Sequence, residues 1–277
     1  MVHIQGFIEQ IVVSLFEDKE LSKLLVLKGG TALHLLEGID SRLSTDIDFS
    51  SRKLIEEHGK FFQRVEKVLK RSFQKDYELF DFQYQKKPKT KRKQPDWWFG
   101  WLCEFKLSPL AHKSYPLERK RREAFIPEGV TSSIFSIEIS EHEYCGDLQK
   151  KIRKGVSING YSRALLMVEK IRALCQQHAD YPYAKTRSRT RDFVDIYHLT
   201  QRIDDDFLAE CRELLAPVFQ AKEVSITLLD AFWDENFLEL QKRGYQQVLD
   251  TLKEKAHPFE TYVENLRYIV ALLRGNK

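Results

Sequence analysis

The sequence predicts an α+β chain in two parts: a mixed β-sheet with flanking helices over residues 1–150, and an α-helical region over residues 151–277. Three observations predict it. Short strand-like runs alternate with amphipathic helical runs through the first part. From Tyr161 onward the apolar spacing turns helical and stays so. No segment repeats internally, so a solenoid or propeller is excluded. A 277-residue chain that is 42% hydrophobic and 12% aromatic can bury one large core or two modest ones.

The elements follow in order. Residues 7–17 place Phe7, Ile8, Ile11, Val12, Leu15 and Phe16 on one side of a helix. "LLVLKGG" reads as a buried strand that stops at Gly29 and Gly30. "TALHLLEG" reads as a helix with Thr31 at its start and Gly38 just past its end. "TDIDFS" is a second strand, and Lys53–Phe73 is a helix with Leu54, Phe61, Phe62, Val65, Val68 and Leu69 near helical spacing. "YELFDFQYQ", "WWFGWLCEFKLS" and "SSIFSIEIS" read as strands. The first two flank "KKPKTKRKQP", whose prolines and charges make it a hairpin loop or flexible tip. "YSRALLMVEKIRALCQQ", "TRDFVDIYHLTQR", "DDFLAECRELLAPVF" and Phe232–Lys255 read as helices.

Composition narrows the class. No apolar run approaches the roughly 18 residues of a membrane span. The N-terminus carries Glu9, Glu17 and Asp18 and has no basic leader segment, unlike a signal peptide. Cys103, Cys145, Cys175 and Cys211 are unevenly spaced without a CxxC pair, which fits reduced thiols better than a disulfide frame. A soluble cytoplasmic protein is expected. The net charge of +4 is unevenly spread: Lys86 to Phe125 holds twelve Lys or Arg against four Asp or Glu, a balance of +8, so the remainder sums to −4. Positive charge gathered in one segment suits a polyanionic partner.

Two features carry chemistry. A glycine pair between a strand and a helix lets the backbone approach a phosphate closely, although alone it is more often a tight strand-to-helix turn. Sixteen and eighteen residues beyond Gly30 stand Asp46 and Asp48. On a strand their i, i+2 spacing points both to one face, where two carboxylates repel unless a cation lies between them. A divalent metal held by one or two carboxylates, with positions left for nucleotide phosphates, answers that repulsion. GxxxxGK[ST] and GxGxxG are both absent, so the common phosphate loops are excluded. The eight histidines show no ligand spacing, and no serine-nucleophile elbow is present.

"KGGTAL" followed by "SRLSTDIDF" resembles the nucleotidyltransferase superfamily pattern of a glycine turn and a D-x-D strand. "VEKIRAL" and "RTRDFVDIYHL" look like the later motifs of the AbiEii/AbiGii toxin family, the nucleotidyltransferase half of certain toxin–antitoxin and phage-defence pairs. The resemblance implies a nucleotidyltransferase fold in residues 1–150 and a helical domain in 151–277 that contributes phosphate-binding residues. It implies that Gly29, Gly30 and Thr31 hold the triphosphate, with Arg42 and Ser44 in an R-x-S before the aspartates. Asp46 and Asp48 would bind Mg²⁺ or Mn²⁺. A third carboxylate on a neighbouring strand is usual in the superfamily; Glu104 is the first candidate, with Glu138 and Asp81 behind it. Lys170 would set a point charge on the β- and γ-phosphates of the NTP, the bland alternative being a snorkelling lysine. Arg191, Asp192 and Asp195 match the family's RD-x-x-D; Asp192 would orient Lys170 or the nucleotide, and a capping ion-pair cluster is the alternative.

The reaction so implied is transfer of a nucleoside monophosphate from an NTP to an acceptor with release of pyrophosphate. The resemblance suggests an RNA acceptor, tRNA in particular, with growth arrest as the consequence and a cognate antitoxin as a possible partner. "KKPKTKRKQP", "ERKRRE", "KKIRK" and "KTRSRTR" agree with phosphate-backbone contact, against the alternative of solvated charged faces. Among Trp97, Trp98 and Trp101, one exposed ring could stack a base. Nucleotidylation of a protein, and a non-catalytic nucleotide-dependent RNA-binding regulator, remain the competing readings.

Overall fold

The computed structural model describes residues 3–88, 95, 97–146 and 148–275. They fall into two compact units, one of Met1–Leu36, Ser44–Cys145 and Gln149–Gly160, the other of Glu37–Leu43, Gly146–Leu148 and Tyr161–Lys277.

The first unit starts with helix α1 (Ile4–Glu17). Strand β1 (Leu25–Lys28) then runs into a short helical turn over Gly29–Ala32, which widens to a π-turn over Leu33–Glu37. Next come β2 (Ile47–Ser51), helix α2 (His58–Phe73), β3 (Tyr77–Lys87), β4 (Gly100–Pro109), β5 (Phe135–Ser140), β6 (Leu148–Arg153) and β7 (Val156–Tyr161). The seven strands form one mixed sheet in the order β3-β4-β5-β2-β1-β7-β6. β2 lies antiparallel to β1 and parallel to β5, and β1 lies parallel to β7.

Alternation gives this sheet two unlike faces. Ile47, Phe49, Ile137, Ile139, Cys103 and Phe105 are all buried on one of them. Helices α1 and α2 cover it: Phe16 meets Phe49 at 6.1 Å between ring centroids, Phe62 meets Trp101 at 5.5 Å and Phe73 meets Phe105 at 6.5 Å. Fully burying each such ring contributes about 1.5–3 kcal/mol, so this face is where the unit's stability resides. The other face carries Lys28, Asp48, Glu138, Ser136 and Glu104, which the register places on neighbouring strands. These polar side chains therefore share one side of the sheet.

Three elements differ from the sequence reading, each for a local reason. Helix α2 starts at His58 and not at Lys53, because the Ile55 amide donates to the buried Glu141 carboxylate at 3.3 Å and Ser51 Oγ donates to the Lys53 carbonyl at 2.6 Å. Both bonds hold residues 51–55 as a loop. β4 starts at Gly100, so Trp97 and Trp98 precede the strand. β6 and β7 were not expected as strands, and they keep the first unit running through Gly160. β6 is one of the sheet's two edge strands and its Ile152 is 68% exposed, so no alternation marked it. Within "KKPKTKRKQP", Lys86 and Lys87 close β3, while residues 89–94 lie outside the described residues.

The second unit packs α3 (Arg163–Cys175), α4 (Thr190–Leu199), α5 (Asp205–Gln220), α6 (Glu235–Lys242) and α7 (Phe259–Leu273). Side-chain caps start three of them: Ser162 accepts from the Leu165 amide, Asp204 from Phe207 and Asp234 from Asn236. The helix expected over Phe232–Lys255 is broken at Gly244, where any Cβ would overlap the hydroxyls of Ser188 and Thr190. The Ser41–Leu43 segment joins this unit through backbone bonds, Leu43 to Thr251 and Lys253 to Ser41, both at 2.9 Å. That pairing fixes Arg42 in the helical unit.

Candidate active site

In the first unit the glycine turn and the aspartate strand are built against each other. Gly29 has φ +67°, in the left-handed region that glycine adopts without strain. A Cβ there would lie 3.1 Å from Asp48 Cβ and Cγ and would overlap Oδ2, so only glycine fits over this carboxylate. Thr31, nearly fully buried, donates its hydroxyl to the Asp46 carbonyl at 2.7 Å. The Thr31 hydroxyl proton thus ties the turn to the strand. Asp46 and Asp48 flank the buried Ile47; Asp48 lies on the polar face in register with Glu138, and Asp46, just before the strand, is exposed. Lys28, register partner of Asp48, is buried and donates to Ser140 Oγ at 3.1 Å; Glu143 lies 3.4 Å from its ammonium. Ser44, also in this unit, accepts from Gln5 Nε2 at its carbonyl at 3.2 Å.

Glu104, the expected third carboxylate, lines a cleft together with Asp46. Glu104 stands on β4, separated from β2 by β5, and accepts from Gln83 Nε2 at 3.2 Å. Glu138 is the register partner of Asp48, and pairs with Lys87 at 3.0 Å. Asp81 is engaged by Arg121 at 2.9 Å. Among the described residues, no group of three or more His, Cys, Asp or Glu is gathered so as to hold a metal ion. The donor set that remains is two hard carboxylates on one strand face under a glycine turn. Mg²⁺ accepts that set, since it is commonly held by one or two carboxylates and completes its shell with water and phosphate oxygens.

The second unit holds a chain of alternating charges. The Lys170 ammonium is buried, 3.0 Å from Asp192 Oδ1 and 2.6 Å from Asp195 Oδ2. Arg42 grips Asp195 with two bonds, Nε to Oδ1 at 2.8 Å and a second guanidinium nitrogen to Oδ2 at 2.7 Å. Arg189 donates to Asp192 Oδ2. Asp192 and Asp195 are three residues apart on α4, so both face Lys170 on α3. Burial opposes charge on all three groups. For Lys170 the two aspartates outweigh it and raise its pKa. Asp192 is held below the usual carboxylate range by Arg189 and Lys170, and Asp195 by Lys170 and Arg42. The sequence reading had set Lys170 and Arg42 against nucleotide phosphates; here the Lys170 ammonium and the Arg42 guanidinium hold aspartates. Arg191 is exposed on the same helix.

Gln241 was not singled out in the sequence. It is completely buried and clamps the loop ahead of α4: its Oε1 accepts from the Arg189 amide at 2.6 Å and its Nε2 donates to the Arg187 carbonyl at 3.2 Å. No sequence pattern marks a buried glutamine that copies a strand partner. The basic runs divide differently from expectation. In "ERKRRE", Arg119 pairs with Glu123, Lys120 with Glu78 and Arg121 with Asp81, at 2.7–2.9 Å. In "KKIRK", Lys151 and Arg153 donate to the Leu36 and Leu35 carbonyls. Several cations of these two runs thus have partners within the protein, while Arg122 and Lys150 are exposed. All four cysteines are free, three of them buried. Among the described residues no helix is long and apolar enough to cross a membrane.

One solved structure this chain resembles is the crystal structure of an antigenic nucleotidyltransferase-like protein from Paracoccidioides brasiliensis. It is 14% identical, with a TM-score of 0.39 over 80% of this chain and 95% of that one. No curated protein matches the sequence. Residues 10–265 match the family described as nucleotidyl transferase AbiEii toxin, type IV TA system, so both the glycine–aspartate strand pair and the Lys170–aspartate cluster fall inside the match. The chain belongs to that family of type IV toxin–antitoxin nucleotidyltransferases.

Proposed function

We propose that this nucleotidyltransferase transfers a nucleoside monophosphate from an NTP to an RNA acceptor, tRNA in particular, in a metal-dependent reaction that releases pyrophosphate. The observation that carries the reading is the Gly29 turn seated on Asp48 and tied through Thr31 to Asp46. It sets backbone that can approach a phosphate closely beside two carboxylates suited to a hard cation. In this reading Asp46 and Asp48 hold Mg²⁺ or Mn²⁺, and the backbone of Gly29, Gly30 and Thr31 meets the triphosphate. The metal, when bound, would neutralise charge on the phosphates and polarise them. Lys170 acts as a positioning residue that holds Asp192 and Asp195, and through them Arg42 and Arg189. The +8 balance of residues 86–125 supports a polyanionic acceptor. Membership of a toxin–antitoxin family supports a cognate antitoxin, growth arrest and a role in phage defence.

The test is incubation of the purified protein with each labelled NTP, Mg²⁺ or Mn²⁺ and total RNA. Label should enter an RNA band, and Asp46→Asn with Asp48→Asn should abolish it. Label confined to the protein band would replace the RNA acceptor with a protein. Absence of transfer with every NTP would favour a non-catalytic regulator.

A further inference from the structure

A cleft of about 470 Å³ opens in the first unit beside the aspartate strand. Its polar lining is two carboxylates, Asp46 and Glu104, and four hydroxyls, Thr45, Thr131, Ser132 and Ser136. Among the described residues no lysine, arginine or histidine lines it. The rest of the wall is largely apolar, with Ile4, Val130 and Ile134 among it. The volume lies within the roughly 300–1,000 Å³ of small-molecule sites, so the space is adequate for a nucleoside.

Charge decides what fits. A phosphate brought between Asp46 and Glu104 meets two like charges and no cation, which disfavours it. A sugar diol does the opposite: its hydroxyls donate to carboxylates and exchange hydrogen bonds with serine and threonine. Gln83 fixes the Glu104 carboxylate from the neighbouring strand, and Ser136 is the register partner of Glu104, so acceptor and hydroxyl stand side by side. The apolar wall suits the face of a base. Gly29 approaches Asp48 from the β1 side of β2, whereas Ser136 and Glu104 lie on the β5 side. Phosphate-approaching backbone and diol-binding cleft thus flank the aspartate pair.

We propose that this cleft is a ribonucleoside subsite in which Glu104 and the surrounding hydroxyls recognise a ribose 2′,3′-diol, a role distinct from metal ligation. The inference rests on the nucleotidyl-transfer reading above. Two molecules in that reaction present the same diol, the NTP and an RNA ending in a free 3′-hydroxyl.

Binding experiments without turnover separate them. One arm measures the four NTPs against their 2′,3′-dideoxy counterparts by calorimetry. The other measures a short RNA ending in a 2′,3′-diol against the same RNA ending in a 3′-phosphate. The parent protein should prefer the diol by roughly ten- to a hundredfold in the arm whose ligand occupies the cleft, as expected for a hydrogen bond to a charged group. Glu104→Ala should erase that preference and Glu104→Gln, which keeps an acceptor oxygen, should retain part of it. Should Glu104→Ala fail to fold, Thr131→Val tests the opposite hydroxyl and should weaken the same preference. Equal binding of diol and diol-lacking ligands by the parent in both arms overturns the proposal, as does a Glu104→Ala protein that keeps the preference. Failure of the nucleotidyl-transfer reading shows separately, as absence of label transfer by the parent, and leaves the diol preference measurable.

Discussion

Replacing Lys170 with methionine tests whether the helical unit depends on its buried charge chain. Methionine keeps the length of the aliphatic stem, so the change removes charge and hydrogen bonds more than packing. Asp192 and Asp195, 5% and 1% exposed, would then face each other without the ammonium between them. Removing one partner of a buried ion pair costs about 3–5 kcal/mol, mostly because a charge is left buried and uncompensated. Here Asp195 keeps Arg42 and Asp192 keeps Arg189, which moves the expectation to the lower end, about 3 kcal/mol. At about 2–4 °C per kcal/mol for a protein of this size, the melting temperature should fall by about 6–12 °C.

Calorimetry reads the melt, and amide exchange over α3 and α4 localises it. A double-mutant cycle with Asp195→Asn should return a coupling of about 1–3 kcal/mol, because the two groups touch at 2.6 Å. A Lys170→Met protein that melts within about 1 °C of the parent, with unchanged exchange in both helices, would refute the assignment of Lys170 as an internal counter-ion.

Gln241→Leu should leave the Arg189 amide and Arg187 carbonyl without the clamp, costing about 1–3 kcal/mol for each buried group and speeding amide exchange across residues 187–190. Metal with NTP should stabilise the parent by mass action, by about 4 kcal/mol at a thousandfold excess over Kd, and Asp46→Asn with Asp48→Asn should lose most of that shift in a thermal melt. The pKa directions also set a pH window. Depressed carboxyls at Asp192 and Asp195 stabilise above the unfolded value of 3.8 and are lost as pH falls through their folded pKa values. The raised Lys170 stabilises below 10.5 and is lost as pH rises through its folded pKa. Denaturant midpoints for the cluster's contribution should therefore be flat from about pH 5 to 9 and fall outside it. Neutralising Lys86, Lys87, Lys89, Lys91, Arg92 and Lys93 to Gln should weaken RNA binding and flatten its salt dependence while leaving the melt unchanged.

Local patterns made the polar face legible. The i, i+2 spacing of Asp46 and Asp48 and the glycine pair are short-range features, and the structure seats Gly29 over Asp48. The helical second part was visible for the same reason, since its periodicity is internal to each segment. What stayed hidden is long-range. Arg42 and Asp195 are 153 residues apart, and nothing near either residue announces the other. Gln241 binds a loop more than fifty residues away through its side-chain amide. β6 escaped because it is a charged outer strand, where alternation fades and lysines are expected to guard an open edge. Sequence also shows a cation without showing its acid: Lys120 meets Glu78 only after β3 and the helix at Leu117–Arg122 are brought together.

The two aspartate pairs, Asp192 with Asp195 and Asp46 with Asp48, lie in unlike surroundings. Asp192 and Asp195 lie one helical turn apart, buried, with Lys170 between them and an arginine on the far side of each. Protein cations already balance that pair, so a metal entering there would have to displace Lys170 and meet its charge. Its ion pairs join α3 to α4 and engage Arg42 and Arg189. Asp46 and Asp48 lie two residues apart on a strand, with Asp46 exposed at the rim of a cleft that no basic side chain lines among the described residues. The space beside Asp46, which no side-chain cation lines among the described residues, is open to an external cation. Exchange of the two environments should follow from charge alone. Lys170→Met should make the buried pair proton-hungry, raising its carboxyl pKa values and shifting its acid transition to higher pH. Asp46→Asn and Asp48→Asn should leave that acid transition where it is. A common acid response in both sets of variants would mean that the two pairs form one electrostatic system, and the division of labour argued from burial and partners would fail.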